Sequence, residues 1–119
     1  MPDLDRLQLL PPSSADIATL LAFELENRAY FESWVTARAP SYYRQEAVAA
    51  AIEQAQRERQ QDLAYQYLAK LDGQIIGRVN LTAVTRPYFN KATLGYRIGE
   101  RFGGRGYATR VVEIGRAHV

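Results

Sequence analysis

Three glycines within four positions, Gly103, Gly104 and Gly106, stand between a strand-like run and a helix-like run late in the chain. Before them Leu94, Tyr96 and Ile98 alternate with Gly95, Arg97 and Gly99, the period-2 pattern of a half-buried strand. From Tyr107 onward the residues can propagate a helix. Glycines let backbone approach a ligand closely, and a helix start leaves N–H groups unpaired beside the positive end of a dipole. Together they make an anion cradle suited to a phosphate-bearing cofactor. Two familiar phosphate loops are excluded by the neighbouring letters. A nucleotide P-loop needs Lys-Ser or Lys-Thr after its last glycine, where this chain has Tyr107-Ala108, and the dinucleotide fingerprint needs a glycine where Thr109 stands. Alone, such a cluster reads as an ordinary tight turn.

The surrounding letters carry more. Leu-Gly-Tyr, a strand, then Gly-Arg-Gly-Tyr-Ala-Thr resembles the acetyl-CoA-binding segment of the GNAT N-acetyltransferases, and most closely the RimJ/RimL-like branch that acetylates ribosomal-protein N-termini. The family signature, Gln/Arg-x-x-Gly-x-Gly/Ala, fits in two registers. One starts at Arg101 and ends Gly104-x-Gly106; the other starts at Gly103 and ends Gly106-x-Ala108. The second is preferred, because RimJ/RimL-like proteins commonly show Gly-Lys/Arg-Gly followed by an aliphatic or aromatic residue and Ala. Gly103 is then a departure, since a polar or aromatic side chain is usual there.

The resemblance extends upstream over residues 4–113. Residues 73–84 look like the family's third strand, and residues 61–71 like its antiparallel partner, joined at Asp72-Gly73, a two-residue hairpin signal. Residues 5–23 resemble the opening strand and first helix, with Ser13 and Asp16 as an N-terminal cap and Ile17, Leu20, Leu21 and Leu25 on one face. Residues 27–43 resemble the short helix and loop that close over the acceptor site. Residues 44–60 read as a helix, with Val48, Ala51, Ile52 and Ala55 at helical spacing. The implied fold is α/β (α+β): a GNAT-like mixed sheet with an N-terminal strand, helices, three antiparallel strands and then the cofactor helix.

By the same resemblance, acetyl-CoA is the co-substrate. Backbone groups of Tyr96, Arg97 and Ile98 would hold its pantetheine arm and thioester, and Gly103, Gly104, Arg105, Gly106, Tyr107, Ala108 and Thr109 its phosphates. Phe31, Trp34 and Asn80 are the candidate acceptor-site residues, against the plainer readings of core aromatics and a sheet-edge hydrogen bond. Glu100 is the acid nearest the cradle and the one candidate base, against the plainer reading of a surface residue. Where some acetyltransferases carry a basic glutamate, this chain has Ala92. The acceptor is an amine: foremost a protein N-terminus, otherwise a small amine such as a polyamine or antibiotic. A CoA-binding module without turnover is the non-enzymatic alternative, and another kind of nucleotide-binding α/β domain is disfavoured by the letters above.

Composition bounds the rest. With 47% hydrophobic and 24% charged residues, 119 residues make one ordinary globular domain. There are no cysteines, so neither a disulfide scaffold nor a Cys nucleophile is available. A formal charge of +2 gives no argument for nucleic acid. No run reaches membrane-spanning length and no secretory signal opens the chain, which points to a cytoplasmic protein without a membrane partner. The last six residues, IGRAHV, match the translation of a widely used sequencing adapter. Residues 114–119 are therefore expected to be a non-native tail that breaks the helix at Gly115, which removes His118 as a metal ligand. Residues 1–113 are then the N-terminal portion of a single GNAT domain, lacking its C-terminal half and inactive as it stands.

Overall fold

The computed structural model describes residues 6–33, 36–85 and 91–117. Four antiparallel strands, β1 (Leu7–Leu10), β2 (Tyr65–Leu71), β3 (Gln74–Thr85) and β4 (Lys91–Ile98), form one sheet in the order β1-β2-β3-β4. The helices α1 (Ile17–Glu26), α2 (Arg28–Glu32) and α3 (Gln45–Gln60) follow β1, and α4 (Tyr107–Arg116) follows β4.

Each junction has a local cause. Pro11 and Pro12 lack an N–H and end β1. The Asp16 carboxylate accepts the Ser13 N–H at 2.9 Å and turns the chain through a short 3-10 segment into α1. The same carboxylate accepts from Lys70 Nζ at 2.7 Å, which ties the helix start to β2. The β2–β3 turn has Asp72 at φ 52° and Gly73 at φ 83°, the left-handed pair that a two-residue hairpin needs. One expected boundary moves: residues 61–64 turn before β2 begins, with Asp62 at φ 55°.

Alternation along the strands makes two cores. On one face Leu20 and Phe23 of α1, Phe31 of α2, and Val48 and Ile52 of α3 pack on Leu68 and Ile75. On the other, Tyr107 and Val111 of α4 pack on Tyr67, Ile76, Val79, Leu81 and Ile98. Leu25, expected on the inner face of α1, is 49% exposed. The buried stripe is Leu20, Phe23 and Glu24, so a carboxylate takes the place the pattern gave to leucine.

The helix at the end also corrects an expectation. α4 runs through Gly115 to Arg116, with Gly115 buried against Leu94 and Val79 and Ile114 packed on the core. A glycine there lets the helix lie close to β4 and β3, where a break was expected. Among the described residues no helix is long and apolar enough to cross a membrane.

Candidate functional site

Among the described residues β4 is paired on one side only, so alternate N–H and C=O groups along it have no ladder partner there. Just beyond it the chain is pinned. The Gly99 N–H donates to Ile76 O at 2.8 Å, and the Glu100 N–H donates to Asn27 Oδ1 at 2.8 Å. Asn27, buried between α1 and α2, donates in turn to Phe23 O at 2.9 Å. This clamp sets where the glycine loop starts. Gly104 (φ 72°) and Gly106 (φ 83°) adopt left-handed backbone that side chains rarely tolerate, whereas Gly103 (φ −68°) does not. Gly106 caps α4. The first ladder bond of that helix runs from the Arg110 N–H to Gly106 O at 3.1 Å, and no side chain caps the end. The Ala108 and Thr109 N–H groups, ahead of that bond, are left for a ligand. Ala108 and Thr109 line a groove of about 390 Å³ walled also by Tyr30, Tyr96, Ile98 and the glycine loop. A second hollow of about 360 Å³ continues it along α4 past Val112 and Glu113 to Arg116. An elongated ligand with a phosphate end fits this shape and polarity.

The opposite face of β4 holds a smaller pocket, about 200 Å³, lined by Arg38, Arg78, Asn80, Gly95, Tyr96 and Arg97. Its floor is a buried ion pair. Arg78, 7% exposed, donates to Glu24 Oε1 at 2.8 Å, to the Tyr42 hydroxyl at 3.0 Å and to Gln66 Oε1 at 3.0 Å. Burial pushes the Arg78 guanidinium pKa down, but the neighbouring Tyr42 and Glu24 more than offset it, so it is held above the ordinary value. Arg38 approaches Glu24 at 3.6 Å and stacks on the Tyr42 ring at 4.2 Å. Arg97 lies over the Phe31 ring at 5.3 Å. Its pKa is pushed down by burial and then by the nearby Arg38 and Arg78 charges. Asn80 Oδ1 and Arg38 Nε are buried without a hydrogen-bond partner. Tyr96 borders both this pocket and the groove.

The residues singled out in the sequence fall into groups. Tyr96, Ile98, Gly103, Gly104, Gly106, Ala108 and Thr109 line the groove together. Arg97 lines the other face, because successive strand residues point to opposite sides. Arg105 is exposed on the loop and does not line the groove, and the Tyr107 side chain is core, edge-on to Phe102 at 6.1 Å between centroids. Asn80 lies in the smaller pocket, with Phe31 buried beneath Arg97. Trp34 lies outside the described residues. Glu100 is exposed at the 3-10 turn and lines neither cavity. Sequence reading missed Glu24, Arg38, Arg78 and Asn27. A signal existed for two of them: Glu24 interrupts an apolar helical stripe, and Arg78 interrupts the run Ile75, Ile76, Val79. A third hollow, about 400 Å³, lies away from these sites between Pro11 and α3, and its one ionisable wall residue, Arg59, already stacks on Tyr65 and Tyr67.

Known proteins share this fold. The Acetyltransferase (GNAT) domain family matches residues 6–119. The Probable N-acetyltransferase YjcK of Bacillus subtilis (strain 168) is 28% identical over 106 residues, which is 87% of this chain and 59% of that protein. The ribosomal-protein-S5-alanine acetyltransferase from Vibrio fischeri superposes with a TM-score of 0.85 at 22% identity, over 94% of this chain and 62% of that one. Mycobacterium smegmatis RimJ, solved in complex with CoA-disulfide, gives 0.85 at 21% identity, over 94% and 55%. At such identities the structures show the likeness of fold. The chain spans less than two thirds of the length of each of these relatives. With the family match covering nearly every residue, the chain belongs to the GNAT acetyltransferase domain family.

Proposed function

We propose that the protein is an N-acetyltransferase that moves the acetyl group of acetyl-CoA onto an amine, with a protein N-terminal α-amine as the leading acceptor. The observation that carries this reading is the placement of two cavities on opposite faces of β4, meeting at Tyr96. The groove suits the cofactor. The Ala108 and Thr109 N–H groups and the α4 dipole would hold phosphates, and the free edge of β4 from Tyr96 to Ile98 the pantetheine arm. When bound, acetyl-CoA supplies a thioester carbonyl for a neutral amine: the C–N bond forms, the C–S bond breaks, and the departing thiolate gains a proton as the amine loses one. Without a cysteine the chain offers no thiol for an acyl-enzyme, so the scheme is direct attack.

The pocket's own residues speak to the acceptor. Glu24, buried behind the pocket, is engaged by Arg78 and Arg38, and no carboxylate lines the pocket itself among the described residues. The amine must therefore be neutral with little help. An α-amine has a pKa of about 7.7–8.0, against about 10.4 for lysine, so a usable fraction is already neutral near pH 7. The guanidinium groups of Arg38 and Arg97 lower it further, because a second positive charge beside them is disfavoured. They also repel a polyamine. The test is a competition by mass spectrometry among an α-amine peptide, an N-blocked lysine peptide and spermidine with acetyl-CoA, run on this chain and on the longest open reading frame containing it. Preferential modification of the α-amine is expected. Preference for spermidine or lysine overturns the acceptor, and CoA binding without any transfer leaves a binding module.

A further inference from the structure

The acceptor-side pocket is more cationic than its fold requires. Arg78 has Glu24, Tyr42 and Gln66 as partners, and its charge belongs to the core. Arg38 and Arg97 differ. Arg38 reaches Glu24 only at 3.6 Å, and its Nε is buried with no partner. Arg97 has no acid partner among the described residues and rests on an aromatic face. Three guanidinium groups thus line one pocket while only Arg78 and Arg38 reach a carboxylate, and their mutual repulsion contributes to the lowered pKa of Arg97 after burial itself. Such a cluster is unfavourable until an anion enters it. One more group is unmatched: Asn80 Oδ1 is a buried acceptor without a donor. The pocket therefore offers N–H donors for an anion and a lone acceptor for an N–H. At about 200 Å³ it has room for an amino-acid-sized group.

We infer that this pocket selects an acceptor whose amine is accompanied by a nearby carboxylate, the carboxylate accepting from Arg97 and Arg38 Nε and the amine donating to Asn80 Oδ1. Calling that amine the acceptor rests on the acetyl-transfer reading; the pocket's selectivity for a carboxylate does not. A guanidinium fork matches a carboxylate with two parallel hydrogen bonds, which gives direction as well as attraction. Gly95 keeps the entrance open, since a Cβ there meets nothing within 4 Å. The carboxylate has two possible sources: an acidic side chain beside a peptide N-terminus, or the α-carboxylate of a free amino acid.

Calorimetric titration of the whole chain with matched pairs tests this. One arm compares Ala-Asp-Ala-amide with Ala-Asn-Ala-amide, and the other compares free alanine with alaninamide. The acid of one pair should bind at least about tenfold more tightly than its amide, and the arm in which this appears identifies the source. The preference should shrink in high salt. Arg97→Gln should bring it close to one with an unchanged melting temperature, because Arg97 is partly exposed on an edge strand. Gly95→Leu, which fills the pocket and leaves the charges in place, should weaken both members of the pair. Equal binding of acid and amide in both arms, no binding of any probe, or a preference that survives Arg97→Gln would overturn the inference. CoA is titrated into the same samples: saturable CoA binding without acid preference sinks this inference alone. Acid preference without CoA binding sinks the acetyl-transfer reading and leaves the anion pocket.

Discussion

Removing the Glu24 carboxylate would leave the Arg78 guanidinium buried with only the neutral acceptors of Tyr42 and Gln66. Glu24→Ala is therefore expected to destabilise the fold by about 3–5 kcal/mol. A Glu24→Leu, Arg78→Leu double variant should lose much less, since no unpaired charge remains; equal losses in denaturant titrations would show that the pair itself is not what matters. Asn27 makes a smaller contribution of the same kind. Asn27→Ala leaves the Glu100 N–H without its acceptor, at about 1–3 kcal/mol, and should weaken CoA binding by releasing the loop start. These residues show what was legible at this scale. Gly104 and Gly106 announced themselves because their spacing suits one local purpose, backbone at left-handed φ ahead of a helix. Glu24 and Arg78 are 54 positions apart, and their meaning lies in each other, which no local pattern displays.

At the scale of elements, glycine positions separate two kinds of close packing. A Cβ on Gly77 would stand 2.5 Å from Arg97 O, a backbone atom, so β3 and β4 would have to part. Gly77→Ala should destabilise by about 1–3 kcal/mol and disturb the site strand. A Cβ on Gly115 would meet the end of the Leu94 side chain at 2.8 Å and touch Val79 Cγ1 at 3.4 Å, both side-chain atoms. There the gain of about 1 kcal/mol in helix propensity offsets the crowding, and Gly115→Ala should be near neutral by thermal melting. The α1 start carries a pH dependence. Burial alone would raise the Asp16 pKa, but the hydrogen bond from Lys70, the Ser13 N–H and the Lys70 charge hold it below its ordinary 3.8. A depressed native pKa stabilises the fold above the unfolded value, so this contribution of about 1 kcal/mol should fade as pH falls below 3.8. Asp16→Asn should flatten the melting temperature in that range; an unchanged acid slope would contradict the assignment. Strands, hairpin and helices were readable here because period and turn residues are local signals. Leu25 misled because helical spacing admits two adjacent faces, and packing on Phe31 and Ile75 selects the one through Phe23 and Glu24.

At the scale of the whole chain, the sheet of the described residues leaves β4 at its edge, with Tyr96 47% exposed. An open edge of this kind pairs readily with another chain, so concentration-dependent association is expected in sedimentation, and Tyr96→Lys should reduce it. Monomeric wild-type behaviour at high concentration would contradict that. The family was legible from about a dozen letters around the glycine loop, because a phosphate cradle is built from contiguous backbone. The arginine-lined pocket was legible only at Asn80, since Arg38, Asn80 and Arg97 come from three separate stretches. The cradle is the central claim, and amide-resolved NMR during a CoA titration tests it most directly. Saturable shifts should centre on Gly104, Gly106, Ala108 and Thr109 and extend to the edge of β4. They should vanish in Gly106→Val but survive in part in Gly106→Asn, which tolerates the left-handed backbone better. No saturable binding, shifts centred on the hollow beside Pro11 and Arg59, or unchanged affinity in Gly106→Val would contradict the account.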